Sequence, residues 1–130
     1  TLPEQHSEEL DQFLISVQRQ TGMQIDQVEQ AARAVLSALG ESISGGQATA
    51  LAQWLPPELA PELAQRHGQA QAFDEKQFLD LVAARTPGLH AGPVEQHVRG
   101  TLNALHAVAP QAEIDDTLAQ LPRELAVLFS

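Results

Sequence analysis

One segment of twelve residues occurs twice in this chain in closely related form. Residues 28–39 read VEQAARAVLSAL, and residues 94–105, which lie 66 positions later, read VEQHVRGTLNAL. A chain that contains two copies of one segment is constrained to build its fold from two similar units, each of which leaves an apolar face for the other to cover.

The flanking segments repeat in the same order. Phe13 and Val17 match Phe78 and Val82 at an offset of 65, and LPPEL at 55–59 matches LPREL at 121–125 at an offset of 66. Three matching blocks in order, with one slip of a single residue, are not expected by chance. We therefore predict one domain over residues 1–130 that contains copy 1 (about 4–68) and copy 2 (about 72–130).

The apolar residues favour helices. They make up 43% of the chain and are mostly Ala and Leu, with no Tyr and few β-branched positions. In the first repeated segment they recur at helical spacing, at Val28, Ala32, Val35, Leu36 and Leu39. We expect an all-α fold, a compact bundle of about six to eight helices whose two halves are related by pseudo-twofold symmetry.

Local signals predict several helix boundaries. A capping box, in which the first and fourth residues satisfy each other's free backbone amides, is predicted at Asp26 with Glu29 and at Asp74 with Gln77. Helix ends are predicted at Gly22, Gly40 and Pro110, and short helices are predicted at about 46–54 and 111–120.

Composition excludes several function classes. The chain has no cysteine, so disulfides, zinc–thiolate sites, iron–sulfur clusters and thiol catalysis are excluded. Seven basic against seventeen acidic residues give a net charge of −10, which argues against nucleic acid or an anionic membrane as a partner. No apolar run approaches the length of a membrane span and no signal peptide is evident, so we expect a cytoplasmic protein.

The polar part of the repeat consists of Glu29 with Arg33 and Glu95 with Arg99, each pair four residues apart. On a functional interpretation the arginines bind an anionic ligand or an acidic partner. On a structural interpretation, which we favour, each arginine joins its helix to the end of a neighbouring helix, where backbone carbonyls lack partners.

The histidines do not form a metal-binding pattern. His97 and His106 are nine residues apart, which places them on opposite sides of a helix, and no H-E-x-x-H motif occurs. Nucleophile-elbow, P-loop and dinucleotide-binding motifs are absent as well. We predict no catalytic residues, no metal and no cofactor.

Trp54 is the only tryptophan, and the position one repeat later is Gln120. A single Trp before Leu-Pro most often packs as a partly buried plug at a helix end, which is the interpretation we favour. The alternative is that Trp54 anchors a partner, because Trp is enriched among interface hot spots.

The order of these motifs resembles a bacterial family known as domain of unknown function 2267. Its members show F-x-x-x-V and Gly, then A-x-R-A-V-L-x-x-L, then A-x-x-L-P-x-E-L, given twice. Copy 1 supplies Phe13, Val17, Gly22, residues 31–39 and residues 52–59; copy 2 supplies Phe78, Val82, Gly88, Arg99, Leu102, Leu105 and residues 118–125. The resemblance implies an all-α bacterial protein and transfers no activity or functional residue.

Copy 2 departs from the pattern at His97, Gly100 and Thr101, so we expect less regular packing of its central helix.

For function, the leading hypothesis is a non-catalytic protein–protein interaction or regulatory module, whose partner is another protein or a second copy of the chain. The alternative is a small-molecule or lipid binder with an apolar cavity between the copies, lined by Phe13, Phe73, Phe78 and Trp54. An enzyme ranks third.

Overall fold

The computed structural model describes residues 8–22, 25–64, 74–86 and 94–127, without the side chains of residues 20, 21, 25 and 26. These ranges contain eight helices and no strand, which confirms the all-α bundle. The helices are α1 (Glu8–Thr21), α2 (Ile25–Ser42), α3 (Gly45–Ala52), α4 (Ala60–Ala64), α5 (Glu75–Ala84), α6 (Val94–Val108), α7 (Gln111–Gln120) and α8 (Arg123–Ala126).

Helices α2 and α6, which carry the repeated segment, form the centre of the bundle. They pack against each other, and α1 and α5 each lie against both of them. Helix α4 packs against α2, α3 packs against α4 and α7, and α8 contacts α5. The buried apolar side chains of the two halves form one continuous core, so neither half has a core of its own.

The apolar stripe predicted for α2 faces this core. Val28, Ala32, Val35, Leu36 and Leu39 are all fully buried. The helical spacing of apolar residues therefore identified the buried face correctly.

Several predicted helix boundaries are confirmed, among them the helix predicted at about 111–120, which is α7 (Gln111–Gln120) and follows Pro110. Gly22 follows the last residue of α1 with a φ of +74°, a left-handed conformation that favours glycine, and its N–H donates to the Gln18 carbonyl at 2.8 Å. Before α5, the Gln77 N–H donates to Asp74 Oδ1 at 2.7 Å, and the Asp74 N–H donates to Gln77 Oε1 at 3.0 Å.

The prediction that Gly40 ends the second helix is wrong. Helix α2 continues to Ser42, and Gly40 lies inside it. The reason is tertiary: a Cβ atom on Gly40 would overlap the carbonyl oxygen of Leu63, because α4 approaches α2 closely at this point. The glycine permits that approach instead of terminating the helix.

Other boundary predictions fall partly outside the described residues. Helix α2 begins at Ile25, but the side chain of Asp26 is not among those described, so its capping box stays a prediction. Phe73 and Gly88 also lie outside the described ranges. Ser44 caps α3 by accepting a hydrogen bond from the Gln47 N–H at 3.2 Å.

Across the described ranges, no helix has the length and apolar character that crossing a membrane requires.

Candidate functional site

Trp54 lies in the turn that follows α3. The Trp54 N–H donates to the Leu51 carbonyl at 3.0 Å, and the Leu55 N–H donates to the Ala52 carbonyl at 3.1 Å. The turn places the two neighbours differently: Leu55 is buried, whereas 45% of Trp54 is exposed. A large apolar ring therefore lies at the surface beside the end of α3.

Trp54 borders a groove with a volume of about 410 Å³, which we call the Trp54 groove. It lies between α1, the turn after α3 and the last two turns of α6. Its lining residues are Glu9, Gln12, Phe13, Ser16, Gln53, Trp54, Leu55, Pro56, Ala104, Ala107 and Val108. The volume falls within the range of about 300–1,000 Å³ that is typical of ligand pockets.

The lining of the Trp54 groove is apolar at its base and weakly acidic at its edge. Phe13, Leu55 and Ala104 are buried, while Trp54 and Val108 are exposed at the mouth. Glu9 is the one charged residue among those that line the groove, and no Lys, Arg or His belongs to that set. The groove therefore suits an apolar group and offers no site for an anion.

Two of the four aromatic residues predicted to line a cavity do so. Phe13 and Trp54 line the groove, whereas Phe78 is buried in the core and Phe73 lies outside the described residues. The groove is bordered by residues of both predicted copies, since α1 and Trp54 come from copy 1 and α6 comes from copy 2.

Arg33 is engaged by three acceptors. It forms ion pairs with Glu29 at 2.7 Å and Glu62 at 3.1 Å, and its Nη1 donates to the Glu58 carbonyl at 3.0 Å, just before α4. Burial works against the charge of Arg33, but the hydrogen bonds and charges of Glu29 and Glu62 outweigh it, so its pKa is raised. The side chain joins α2 to the start of α4.

Arg99 makes a similar set of contacts. Its Nε donates to Glu95 at 2.9 Å, and its Nη1 donates to the Val127 carbonyl at 3.4 Å, directly after α8. Both arginines thus bind a backbone carbonyl beside a short helix that follows a Leu-Pro pair. These contacts support the structural interpretation of the two Glu–Arg pairs.

A second, shallower depression of about 230 Å³ also contains arginine. It is lined by Gln30, Arg33, Ala34, Ser37, Glu62 and Arg85. Arg85 pairs with Glu41 and donates to the Ser37 hydroxyl at 2.6 Å, and Arg33 pairs with Glu29 and Glu62. Because carboxylates already occupy both guanidinium groups, an anion would have to compete with them.

Two of the five histidines lie in the described ranges, His97 and His106, both on α6. His97 is 5% exposed, and burial lowers its pKa, whereas His106 is exposed and lies 3.0 Å from Gln111 Oε1. His6, His67 and His90 are outside the described residues. Within the described ranges, no group of three or more His, Asp or Glu side chains is arranged to hold a metal ion.

A family model matches residues 10–128, nearly the whole chain. The chain belongs to the family described as "Uncharacterized conserved protein (DUF2267)". This confirms the resemblance that the repeated motifs indicated. No curated protein matches the chain. The family description carries no activity, so the function of this DUF2267 chain has to be argued from its own geometry.

In this DUF2267 chain, the position one repeat after Trp54 has a different role. Gln120 Oε1 accepts a hydrogen bond from the Ser44 N–H at 2.7 Å, which joins the end of α7 to the start of α3. A polar side chain at position 120 thus makes an internal contact, whereas the tryptophan at position 54 is presented to solvent.

Proposed function

We propose that this chain is a non-catalytic interaction module that binds a segment of a partner protein in the Trp54 groove. The observation that supports this most is the exposure of Trp54 at the mouth of a groove with an apolar base. Tryptophan contributes a large apolar area and is enriched among the residues that dominate interface energies. This favours the anchor interpretation of Trp54 over the plug interpretation.

The charge of the chain favours a different protein over a second copy as the partner. Each chain carries a net charge of −10, so two copies repel each other at moderate ionic strength. The Trp54 groove adds no basic residue that would offset this repulsion locally. Self-association through the groove is therefore the less favourable option.

The composition of the groove supports a non-catalytic role. Glu9 is the one acidic residue among those that line the groove, and no second acid and no Lys, Arg or His belongs to that set. General acid–base catalysis normally needs such groups to converge on a reacting atom.

A cytoplasmic location forms part of this proposal and is supported by the absence of cysteine, which suits a reducing compartment.

The alternative is a small-molecule or lipid-binding domain. The observation that favours it is the size of the groove together with its position between residues of the two predicted copies. An open groove leaves one side of a ligand in water, however, whereas small-ligand pockets usually enclose most of the ligand. For this reason a protein segment is the better match.

The proposal is tested by site-specific crosslinking. A photoreactive benzoylphenylalanine at Gln53, which lines the groove, is expected to crosslink a partner protein in cells, and Trp54→Ala is expected to abolish that crosslink. Ile15→Ala is the matched control, because Ile15 is a similarly exposed apolar residue on α1 that does not line the groove. Its crosslink is expected to persist.

Three outcomes would contradict the proposal. A crosslink that survives Trp54→Ala would show that the partner binds elsewhere. A crosslink between two copies of the chain would favour self-association. A bound small molecule of a few hundred daltons in native mass spectrometry, lost in Trp54→Ala, would favour the alternative function.

A further inference from the structure

We propose that the segment bound in the Trp54 groove is a cationic amphipathic peptide, with apolar side chains on the groove and Lys or Arg beside its edge. This inference rests on the proposed function and specifies the chemistry of the partner. Three features of the groove support it: the charges of α1, the helix ends beside the groove, and the exposed face of Trp54.

The first feature is the acidic start of α1. Glu9 lines the groove, and Glu8 and Asp11 lie in the same first turn. All three acidic residues of this turn are solvent-exposed. None of the residues that line the groove is basic, and the chain as a whole carries a charge of −10. A cationic segment therefore meets attraction both locally and at long range.

The second feature is the direction of two helices that end at the groove. Helix α3 ends at Ala52, next to Gln53 and Trp54, and α6 ends at Val108. A helix C-terminus carries the equivalent of about half a negative charge. The N-terminus of α1 contributes a partial positive charge, but its three acidic residues outweigh it. The helix ends thus add to the negative potential of Glu9.

The third feature is the exposed ring of Trp54 itself. Lys and Arg combine an aliphatic stem, which packs on an aromatic ring, with a cation that the ring face attracts. An anionic peptide would gain the apolar contact but would meet Glu9 and the two helix ends. The groove therefore discriminates by charge among peptides with the same apolar residues.

The probes are two short amphipathic peptides that share one set of leucines, one with lysines and one with glutamates on the polar face. Because Trp54 is the only tryptophan, its fluorescence reports directly on the groove. At low salt the Leu/Lys peptide is expected to bind at least ten-fold more tightly than the Leu/Glu peptide. At 0.5 M salt the difference is expected to shrink, since the Debye length falls to roughly 4 Å.

A matched pair of variants localises the effect. Glu9→Gln is expected to weaken binding of the Leu/Lys peptide by about three-fold or more, because it removes the charge at the edge of the groove. Glu124→Gln makes the same change of net charge at an exposed position on α8 that does not line the groove, and it is expected to leave binding unchanged. Equal effects of the two variants would overturn the proposal, since only the overall charge would then matter.

The experiment separates this inference from the proposed function when Trp54→Ala is measured with dye-labelled peptides. If both peptides bind equally well and Trp54→Ala abolishes both, the cationic preference is overturned and the groove remains the binding site. If the Leu/Lys peptide binds Trp54→Ala as well as the unchanged protein, both proposals fail. If neither peptide binds while crosslinking from Gln53 still captures a Trp54-dependent protein, the cationic preference alone fails.

Discussion

Gln47 forms hydrogen bonds with Glu113, the residue that lies 66 positions later in the chain. Gln47 Nε2 is 3.3 Å from the Glu113 carbonyl oxygen and 3.3 Å from Glu113 Oε1. The offset of 66 is the same as the offset of the repeated segment. A twofold axis between two copies brings a residue into contact with its own sequence equivalent where both lie close to the axis. This pair therefore supports the pseudo-twofold arrangement, which stays a prediction.

Gln47→Ala is expected to lower the free energy of unfolding by about 1–2 kcal/mol. Gln47 Nε2 also donates to the buried Thr117 hydroxyl at 3.1 Å, so the substitution removes contacts with both Glu113 and Thr117 of α7. The measurement is urea denaturation followed by circular dichroism. Gln96→Ala, at an exposed position of α6, is the control and should have little effect. Equal losses in the two variants would contradict the role of Gln47.

Gly40→Ala is expected to destabilise the protein by about 2–4 kcal/mol, because its Cβ would overlap the backbone of Leu63. The higher helix propensity of alanine offsets only about 1 kcal/mol of this. Gly46→Ala is the matched control, since a Cβ there meets nothing within 4 Å, and it is expected to be neutral or stabilising. Thermal unfolding of both variants checks the difference; a neutral Gly40→Ala would contradict the close approach of α4.

Thr101→Val is expected to stabilise the protein by about 1 kcal/mol. The Thr101 hydroxyl is fully buried and has no hydrogen-bond partner among the described residues, while the position one repeat earlier is the buried Val35. Thr117→Val is the contrasting variant, because the Thr117 hydroxyl donates to the Glu113 carbonyl at 2.8 Å, and it should be destabilising. A fall in the melting temperature of Thr101→Val would mean that its hydroxyl is satisfied in solution.

The buried His97 is expected to make stability depend on pH. Burial lowers the pKa of His97 in the folded protein, so below its ordinary value of about 6.5 the unfolded chain takes up the proton more readily. Stability is therefore retained above this value and lost as the pH falls through about 6.5 towards the folded pKa. Chemical denaturation at several pH values measures the slope.

His97→Ala tests the origin of this slope, because alanine is the residue at the corresponding position 31. The variant should show a smaller loss of stability between about pH 7 and pH 5, whatever its absolute stability. Gln96→Ala, at an exposed position on the same helix, removes no titrating group and should retain the slope of the unchanged protein. Identical slopes in all three proteins would rule out His97 as the cause.

Arg33→Gln is expected to lower the free energy of unfolding by about 1–2 kcal/mol. Arg33 binds Glu29, Glu62 and the Glu58 carbonyl, so the substitution removes contacts between α2 and α4. Lys76→Gln, which removes an ion pair with Asp80 between two exposed side chains, is the control and should have little effect. The measurement is the urea midpoint of each variant, and an unchanged midpoint for Arg33→Gln would contradict the role assigned to the contacts with α4.

The features that the sequence predicted well depend on local interactions. The stripe of α2 follows from helical spacing, and the cap of Asp74 with Gln77 involves residues three positions apart. Gly22 was predicted to end a helix because glycine readily adopts the left-handed backbone conformation found there. Each of these signals is contained within one or two helical turns, so no knowledge of the tertiary fold was needed.

The features that the sequence missed depend on contacts between distant segments. Gly40 has the local appearance of a helix end, yet its role is set by Leu63, 23 positions later in the chain. The groove forms only because the end of α6 lies beside α1. Nothing in the local sequence around Ala104 and Val108 therefore indicated that these residues line a groove. Local sequence patterns do not contain such distances between segments, whereas Trp54 was identifiable because it is the only tryptophan.

The different residues at positions 54 and 120 have a consequence for stoichiometry. Two similar halves would by themselves predict two equivalent binding sites, but Gln120 accepts a hydrogen bond from the Ser44 N–H, whereas Trp54 is exposed. Complexes formed through this tryptophan should therefore contain one ligand segment per chain. Such a protein would be monovalent, and it would not by itself crosslink two targets into a larger assembly.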